Sequence, residues 1–490
     1  MMRTFSISTL GCKVNQYESQ QIREHLERLG LRAATAPSRS DVVVVHTCCV
    51  THTASAKSRQ CIRQARRQSP NAPIIVSGCL PIAPNHELRI PDENIHLVRD
   101  RRHLAAVLND LACNDTALAP LGARHPHGAA GPVSRNAQFC PNPSIRAQNA
   151  FKIKYKNELC DDDLKLPLLS AFKEHSRAFL KVQDGCDGRC SYCIIPKTRP
   201  LVHSKPVEAI LREAQALVQA GHKEIVITGV FLGAYGLQTV KRRHWPQGQN
   251  DRLAGLLDTI AKIPGLRRIR LSSLEPGDVT DRLLDTLCAN PNIMPHLHLS
   301  LQSGSDAILR RMCRQYRIGE FRQRIASIKA RLDRPAITTD IIVGFPGETD
   351  ADFEQTVNLA REVGFARMHV FSYSPRPGTP AAKDNHTIDK RTIRKRSQTL
   401  TKLGADLARR YRQQFIGQTA EVLVEETPEG KGRRPEDRKP SSVVACGRSE
   451  RYFKVYLEGT EPAKPSSVIK AKLIANTKDG MRGKTLSIDD

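Results

Sequence analysis

Two kinds of apolar pattern alternate along this chain. "RTFSIST", "DVVVVH" and "APIIVSG" are short, β-rich runs, the latter two continuously apolar like strands buried on both faces. Between them the apolar positions take helical spacing. In "NQYESQQIREHLERLG", Ile22, Leu26 and Leu29 share one face and Gly30 follows as a C-cap, and "SAKSRQCIRQARRQ" predicts a basic helix. This strand–helix order over residues 1–112 predicts a doubly wound parallel sheet. Residues 113–172 break the pattern with Gly, Pro and polar residues and read as a linker or insertion. A second alternation starts near residue 173. "RAFLKVQ", "EIVITG", "RRIRLSSLEP", "HLHLSLQSG", "AITTDIIVGFPG" and "ARMHVFSYSP" are six strands separated by helical stretches, which predicts an open, partial (β/α)6 TIM-like barrel over 173–405. A basic helix, "DKRTIRKRSQTLTKLGADLARRYRQQF", leads to four short strands that predict a small β-barrel over 412–476. The fold class is α/β with a small β-barrel at the end.

Charge changes the picture next. Lys and Arg number 76 against 50 Asp and Glu, a net charge of +26. Such a surplus favours an anionic macromolecule, nucleic acid first. In the last barrel Tyr452, Phe453 and Tyr456 alternate with Arg448, Arg451 and Lys454, a composition that suits stacking on bases plus contact with phosphates. No apolar run approaches the roughly 20 residues that span a bilayer, and "MMRTFSISTLG" reads as a strand rather than a signal peptide. A cytoplasmic chain with no membrane partner is expected. Its 14 cysteines then point to metal ligands rather than a disulfide framework.

The cysteines fall into two sets. Cys12, Cys48 and Cys79 each follow a predicted strand of the first sheet, so the doubly wound topology brings them to one edge. Cys186, Cys190 and Cys193 have the spacing C-x3-C-x2-C at the end of the first barrel strand. Three thiolates do not close a zinc tetrahedron, and His203 is the candidate fourth ligand if the metal is zinc. An iron–sulfur cube held by three thiolates keeps one iron without a protein ligand. Cys113, Cys140 and Cys160 lack ligand spacing, Cys61, Cys288 and Cys446 read as structural, and Trp245 in "KRRHWPQGQN" reads as a surface position.

"GCDGRCSYCIIP" resembles the cluster loop of the radical S-adenosylmethionine (SAM) enzymes. "TLGCKVNQYES", "HTCCVTHTASAKSRQ", "SGCL", "ITGVFLGAYG", "SSLEP", "HLSLQSGSD" and "TTDIIVGFPGETDADF" follow the order of the methylthiotransferase family within that superfamily. The opening "GCKVNQYE" is most similar to its MtaB-type branch. The resemblance covers most of the chain outside 113–172. It implies two 4Fe-4S clusters, a SAM cluster on Cys186, Cys190 and Cys193 and an auxiliary cluster on Cys12, Cys48 and Cys79. It implies SAM bound at the open iron and cleaved by one electron to a 5′-deoxyadenosyl radical, with Tyr192, Thr228, Gly229, Ser273, Glu275, Gln302 and Asp340 as candidate SAM contacts. It further implies a one-electron reductant such as flavodoxin or ferredoxin, and a terminal barrel like the RNA-binding TRAM domain. The branch methylthiolates C2 of N6-threonylcarbamoyladenosine 37 in the tRNA anticodon loop. Isopentenyl-adenosine in tRNA, a ribosomal protein side chain, and a non-catalytic iron–sulfur RNA-binding role are the alternatives.

Several positions depart from the family pattern. Cys49 adjoins Cys48, His46 replaces an Asn, and Pro200, His203 and Lys205 replace Gly and Arg residues after the cluster loop. Phe231 and Cys313 stand where Asn is usual.

Overall fold

A computed structural model describes residues 3–35, 40–84, 92–113, 160–161, 164–246, 249–426, 443–459 and 463–489. Cys140 and most of the expected linker lie outside these residues.

The first unit is a parallel sheet of β1 (Thr4–Thr9), β2 (Arg32–Ala33), β3 (Val42–Thr47), β4 (Ile74–Gly78) and β5 (Ile95–Leu97), in the order β2-β1-β3-β4-β5. This is the doubly wound arrangement, with its crevice beyond the carboxyl ends of β1 and β3. The helix Lys13–Arg28 buries Ile22 and Leu26 against this sheet with Phe5, Val42 and Val44. Its Tyr17 packs instead into the core of the second unit. One helix is therefore shared by two domains.

Residues 164–172, inside the stretch read as a linker, are packed. Within them β7 (Leu166–Pro167) pairs antiparallel with β6 (Cys160–Asp161). Leu164 and Leu166 join the first core, and Leu169 and Phe172 join the second. The Gly- and Pro-rich composition upstream hid four apolar anchors.

The second unit contains the six expected parallel strands, β8 (Arg177–Asp184), β10 (Glu224–Gly229), β11 (Arg268–Leu271), β12 (His296–His298), β13 (Ala336–Val343) and β14 (Arg367–Ser372). A short β9 (His203–Ser204) pairs antiparallel with β8. Ladders join β9-β8-β10-β11 and β12-β13-β14, and isolated bridges at Ile269–Ile293 and Leu274–Leu299 connect the two arcs into an open, partial barrel. Ile225, Ile227, Leu180 and Ile337 pack among the surrounding helices in one large core.

The last unit is a closed barrel of β15 (Thr419–Glu426), β16 (Val443–Ser449), β17 (Lys454–Glu458), β18 (Val468–Asn476) and β19 (Gly480–Asp489). Strand β19 carries the barrel past residue 476. Its inward positions include Gly483, whose place for a Cβ is filled by Val455 and Ala471, so apolar alternation is weak there. This barrel caps the amino ends of the central strands. Arg268 donates to the Glu421 and Arg448 carbonyls (2.8 and 3.1 Å), and Arg270 donates to those of Ser449 and Glu450 (3.3 and 3.1 Å). Tyr452 lies under Arg177, Arg270 and Arg448 with its ring 4.6 Å from that of His296. Phe453 packs on Phe415 at 5.7 Å. Two of the three aromatics read as base-stacking positions thus form the interdomain joint, and Tyr456 alone stays near the surface, bonded to Asp479. No helix among the described residues is long and apolar enough to cross a membrane.

Candidate functional site

Strand β8 delivers Cys186 to the carboxyl end of the barrel, where the strand–loop rule places chemistry. Gly185 makes the exit turn at φ +78°, and a Cβ there would overlap the Leu201 carbonyl. Only glycine fits that approach. Gly185→Ala is expected to destabilise the protein by about 2–4 kcal/mol, read as a fall in the denaturant midpoint.

The loop that follows is pinned by backbone bonds. Cys186 N donates to the Arg199 carbonyl (2.8 Å), Gly188 N to the Cys186 thiol (3.4 Å) and Cys193 N to the Cys190 carbonyl (3.1 Å). Ser191 ties it to Met312 and Ala381 across the barrel mouth. The Asp187 carboxylate accepts from Val240 N and Thr239 Oγ1, both at 2.8 Å, so the 231–245 segment braces the loop. Trp245, expected at the surface, is buried there. Its indole donates to the Thr239 carbonyl at 2.9 Å, and its ring supports the Arg242 guanidinium. The polar neighbours "KRRH" masked that packing. Burial pushes the Cys186 and Cys193 thiols up to about 12, with their like-charged neighbours adding to it. Metal binding must displace these protons.

Cys12, Cys48 and Cys79 follow β1, β3 and β4 as the topology requires. The Cys48 thiol is pushed up to about 11 by burial, and both Cys79 and Cys12 lie near enough to add to the shift. Cys49 is turned into the core beneath them, its thiol 3.5 Å from the Cys79 carbonyl. A hydrogen bond from Cys49 and the nearby Arg199 cation hold Cys79 well below the ordinary thiol range. Cys79 also lies close enough to Cys193 for its charge to be felt there. Ile194, next to Cys193, packs in one apolar group with Cys49 and Cys79, so the two cysteine loops lie side by side.

The donor chemistry fits iron–sulfur clusters. Each set offers three soft thiols at a sheet edge, with Cys48 and Cys79 buried, Cys186, Cys190 and Cys193 half-buried and Cys12 exposed. Among the described residues, no group of three or more His, Cys, Asp or Glu converges on one point as a single ion requires. His203 is not drawn to the thiols, because its Nδ1 sits against its own Leu201 carbonyl at 3.3 Å. None of the six cysteines of the two sets is in a disulfide.

The seven candidate SAM contacts gather at the barrel mouth in different states. Thr228 is buried, and Gly229 lies against Gln183, whose side chain would meet a Cβ there. Ser273 is exposed beyond β11. Gln302 adopts φ +65° and bonds to β13 through its backbone. The Asp340 carboxylate lies 3.3 Å from His298 Nε2. Tyr192 packs edge-on against Phe345, and its hydroxyl accepts from Arg314 at 3.5 Å. The Glu275 carboxylate is engaged by Arg314 (2.5 Å) and Arg242 (3.3 Å). Arg314 also donates to the Cys190 thiol at 3.3 Å.

Sequence patterns did not single out Arg314, nor the ionic network beneath the cysteines. Glu18 and Asp184, both buried, share Arg199, Arg101 and Lys181. Arg199 alone reaches Glu18 and Asp184 at 2.8 Å and Asn15 at 3.3 Å, while its carbonyl holds Cys186 N. The signal was present in the helix Lys13–Arg28, where Asn15 and Glu18 are polar residues on an inward face.

The departures are absorbed locally. His46 bridges Ser77 (2.7 Å) and Glu18 (3.0 Å). Lys205 donates to Tyr17 (2.7 Å) and Glu213 (2.6 Å) inside the core. Phe231 packs on Trp245 and Arg242. Cys313 sits at φ +55°, a conformation that Asn tolerates more readily.

Comparison with known proteins fits this geometry. The Radical SAM superfamily model matches residues 180–360, and the model described as "Uncharacterized protein family UPF0004" matches residues 4–99. The chain is 35% identical to threonylcarbamoyladenosine tRNA methylthiotransferase MtaB of Thermotoga maritima, over 86% of this chain and 87% of that protein. It is 34% identical to the MtaB of Bacillus subtilis, over 96% and 94%. It is 32% identical to tRNA-2-methylthio-N6-dimethylallyladenosine synthase of Corynebacterium efficiens, over 90% and 77%. With both halves of the site and nearly the whole length matched, this chain belongs to the MtaB-type radical SAM methylthiotransferases, enzymes of tRNA methylthiolation that use SAM and 4Fe-4S clusters.

Proposed function

We propose that this enzyme places a methylthio group on C2 of N6-threonylcarbamoyladenosine 37 in the tRNA anticodon loop. The observation that carries the reading is two cysteine loops packed side by side at the junction of sheet and barrel, in a chain 34–35% identical to MtaB proteins over most of its length. Cys186, Cys190 and Cys193 would hold the SAM cluster, and Cys12, Cys48 and Cys79 the auxiliary cluster. When bound, the SAM cluster supplies the electron that cleaves SAM to a radical able to abstract an unactivated hydrogen.

The chain's own residues position and enclose. Tyr192, Thr228, Gly229, Ser273 and Gln302 line the mouth where SAM would be held, while Asp340 lies deeper, beside His298 and His369. Glu275 acts through Arg314, fixing the guanidinium that reaches Cys190. Arg199 ties the two cysteine loops into one rigid edge. The unpaired anticodon-loop base can be splayed into such a pocket, and the net charge of +26 attracts the phosphates. A one-electron donor such as flavodoxin or ferredoxin is required as partner.

The 32% identity to a dimethylallyladenosine enzyme favours one second reading, an isopentenyl-adenosine substrate. Competition between the two modified tRNAs for the anaerobically reconstituted enzyme separates them. Methylthiolation of the threonylcarbamoyl tRNA alone is expected, and preferential use of the isopentenyl tRNA would overturn the assignment.

A further inference from the structure

The inner wall of the central barrel is polar where β12, β13 and β14 meet. Cα pairing sets Thr338 beside His298 and Asp340 beside His369. Ile337 and Ile341, on the alternate positions of β13, belong to the helix-packed core, so Thr338 and Asp340 face the other way. His298 Nδ1 lies 3.0 Å from Thr338 Oγ1, and its Nε2 lies 3.3 Å from the Asp340 carboxylate. Its ring is 6.1 Å from that of His369, which stacks on Phe371. Thr338 Oγ1 continues to His296 at 3.2 Å, and His296 rests on Tyr452. A hydrogen-bonded column thus runs from the barrel floor up to Asp340.

This column lies beside the cysteines. Ile342, the next inward position of β13, packs with Tyr192 of the cluster loop in one apolar group. Lys13 directly follows Cys12, and its charge is felt at the His296 and His369 rings, where burial chiefly lowers the pKa. Lys13, His298, Asp340 and His369 are only partly enclosed, so a ligand can reach them.

Building on the proposed tRNA reaction, we propose that Lys13, His298, Asp340 and His369 form the recognition site for the threonylcarbamoyl side chain of the target adenosine. That group carries a carboxylate, a hydroxyl and ureido N–H groups. Lys13 pairs with the carboxylate. The Asp340 carboxylate accepts from the N–H or hydroxyl donors, and the two imidazoles take the remaining polar atoms. An isopentenyl tail offers no partner to any of them. Covering this wall with hydrocarbon strips water from a cation, a carboxylate and two imidazoles without replacing it. A site built from hydrogen-bonding groups rejects an analogue that lacks them far better than an apolar pocket rejects an extra polar group.

The test is equilibrium binding of the reconstituted holoenzyme to three anticodon stem-loops, with unmodified, N6-threonylcarbamoyl and N6-isopentenyl adenosine at position 37. The readout is the ratio of affinities, which a general loss of folding or phosphate contact does not change. The wild type is expected to favour the threonylcarbamoyl loop over the isopentenyl loop by at least about tenfold. Lys13→Met and His369→Leu should collapse that ratio toward unity, Lys13→Arg should keep it, and His369→Asn provides a milder second replacement. Variants that weaken all three loops equally and keep the ratio would overturn this proposal alone. A wild-type preference for the isopentenyl loop would overturn the substrate assignment and this proposal with it.

Discussion

Replacing Cys186, Cys190 or Cys193 with Ala is expected to abolish SAM cleavage and remove about half of the bound iron. The loop holds each cysteine in place, through its thiol or through its backbone. Cys186 is pinned through Gly188 and the Arg199 carbonyl, Cys190 through Arg314, and Cys193 through the turn closed on Cys190. The Glu275 carboxylate, whose charge is felt at Cys186 and Cys190, is already engaged by Arg314 and Arg242. Cys79→Ala should behave differently. It should keep 5′-deoxyadenosine formation while losing the auxiliary iron and the methylthio product. Iron analysis and deoxyadenosine release after reduction read both cases. Full SAM cleavage by Cys190→Ala would contradict the assignment of that loop.

Glu18→Ala is expected to cost about 3–5 kcal/mol, the usual loss when one partner of a buried ion pair is removed. Burial alone would raise the Glu18 pKa. Arg101, Arg199 and Lys181 reverse that and hold its carboxyl well below the usual range. Asp184 is likewise buried, and Arg199, Lys181 and Arg101 depress it strongly. Without Glu18, three cations would share the single carboxylate of Asp184 in a dry interface. The pH dependence follows from the depressed values. Both carboxylates contribute stability that is complete above about pH 5, declines below their unfolded pKa of about 4, and disappears as pH falls through the folded values. Denaturant midpoints should therefore drop steeply below about pH 4 in the wild type and more gently in Glu18→Ala. The network joins Asn15 and Glu18 of the first domain to Lys181, Asp184 and Arg199 of the second. Its loss should also loosen the packing of the two cysteine loops.

The periodic elements were plain in the sequence. The runs "DVVVVH" and "APIIVSG" became β3 and β4, and all six barrel strands appeared in order, because strands buried on both faces write continuous apolar runs. The cysteines at strand ends were legible for the same topological reason. Elements defined by tertiary contact were not. Strand β19 has glycine and cations on its two faces and is recognisable only once Val455 and Ala471 fill the space beside Gly483. Trp245 is surrounded by charge in sequence but covered by Arg242 and Phe231 in space. Tyr452 resembles an RNA-stacking residue until Arg177, Arg270 and His296 close on it. Arg199, Arg314 and Glu18 act across domains, and a single sequence does not record which charges meet.

The substrate of this enzyme is read most directly by mass spectrometry of tRNA nucleosides from cells lacking this chain, with and without its return. In such cells 2-methylthio-N6-threonylcarbamoyladenosine is expected to disappear and N6-threonylcarbamoyladenosine to accumulate, and the wild-type gene is expected to reverse both while Cys190→Ala does not. An unchanged level of 2-methylthio-N6-threonylcarbamoyladenosine in cells without the chain, or loss of the isopentenyl derivative instead, would contradict the substrate assignment.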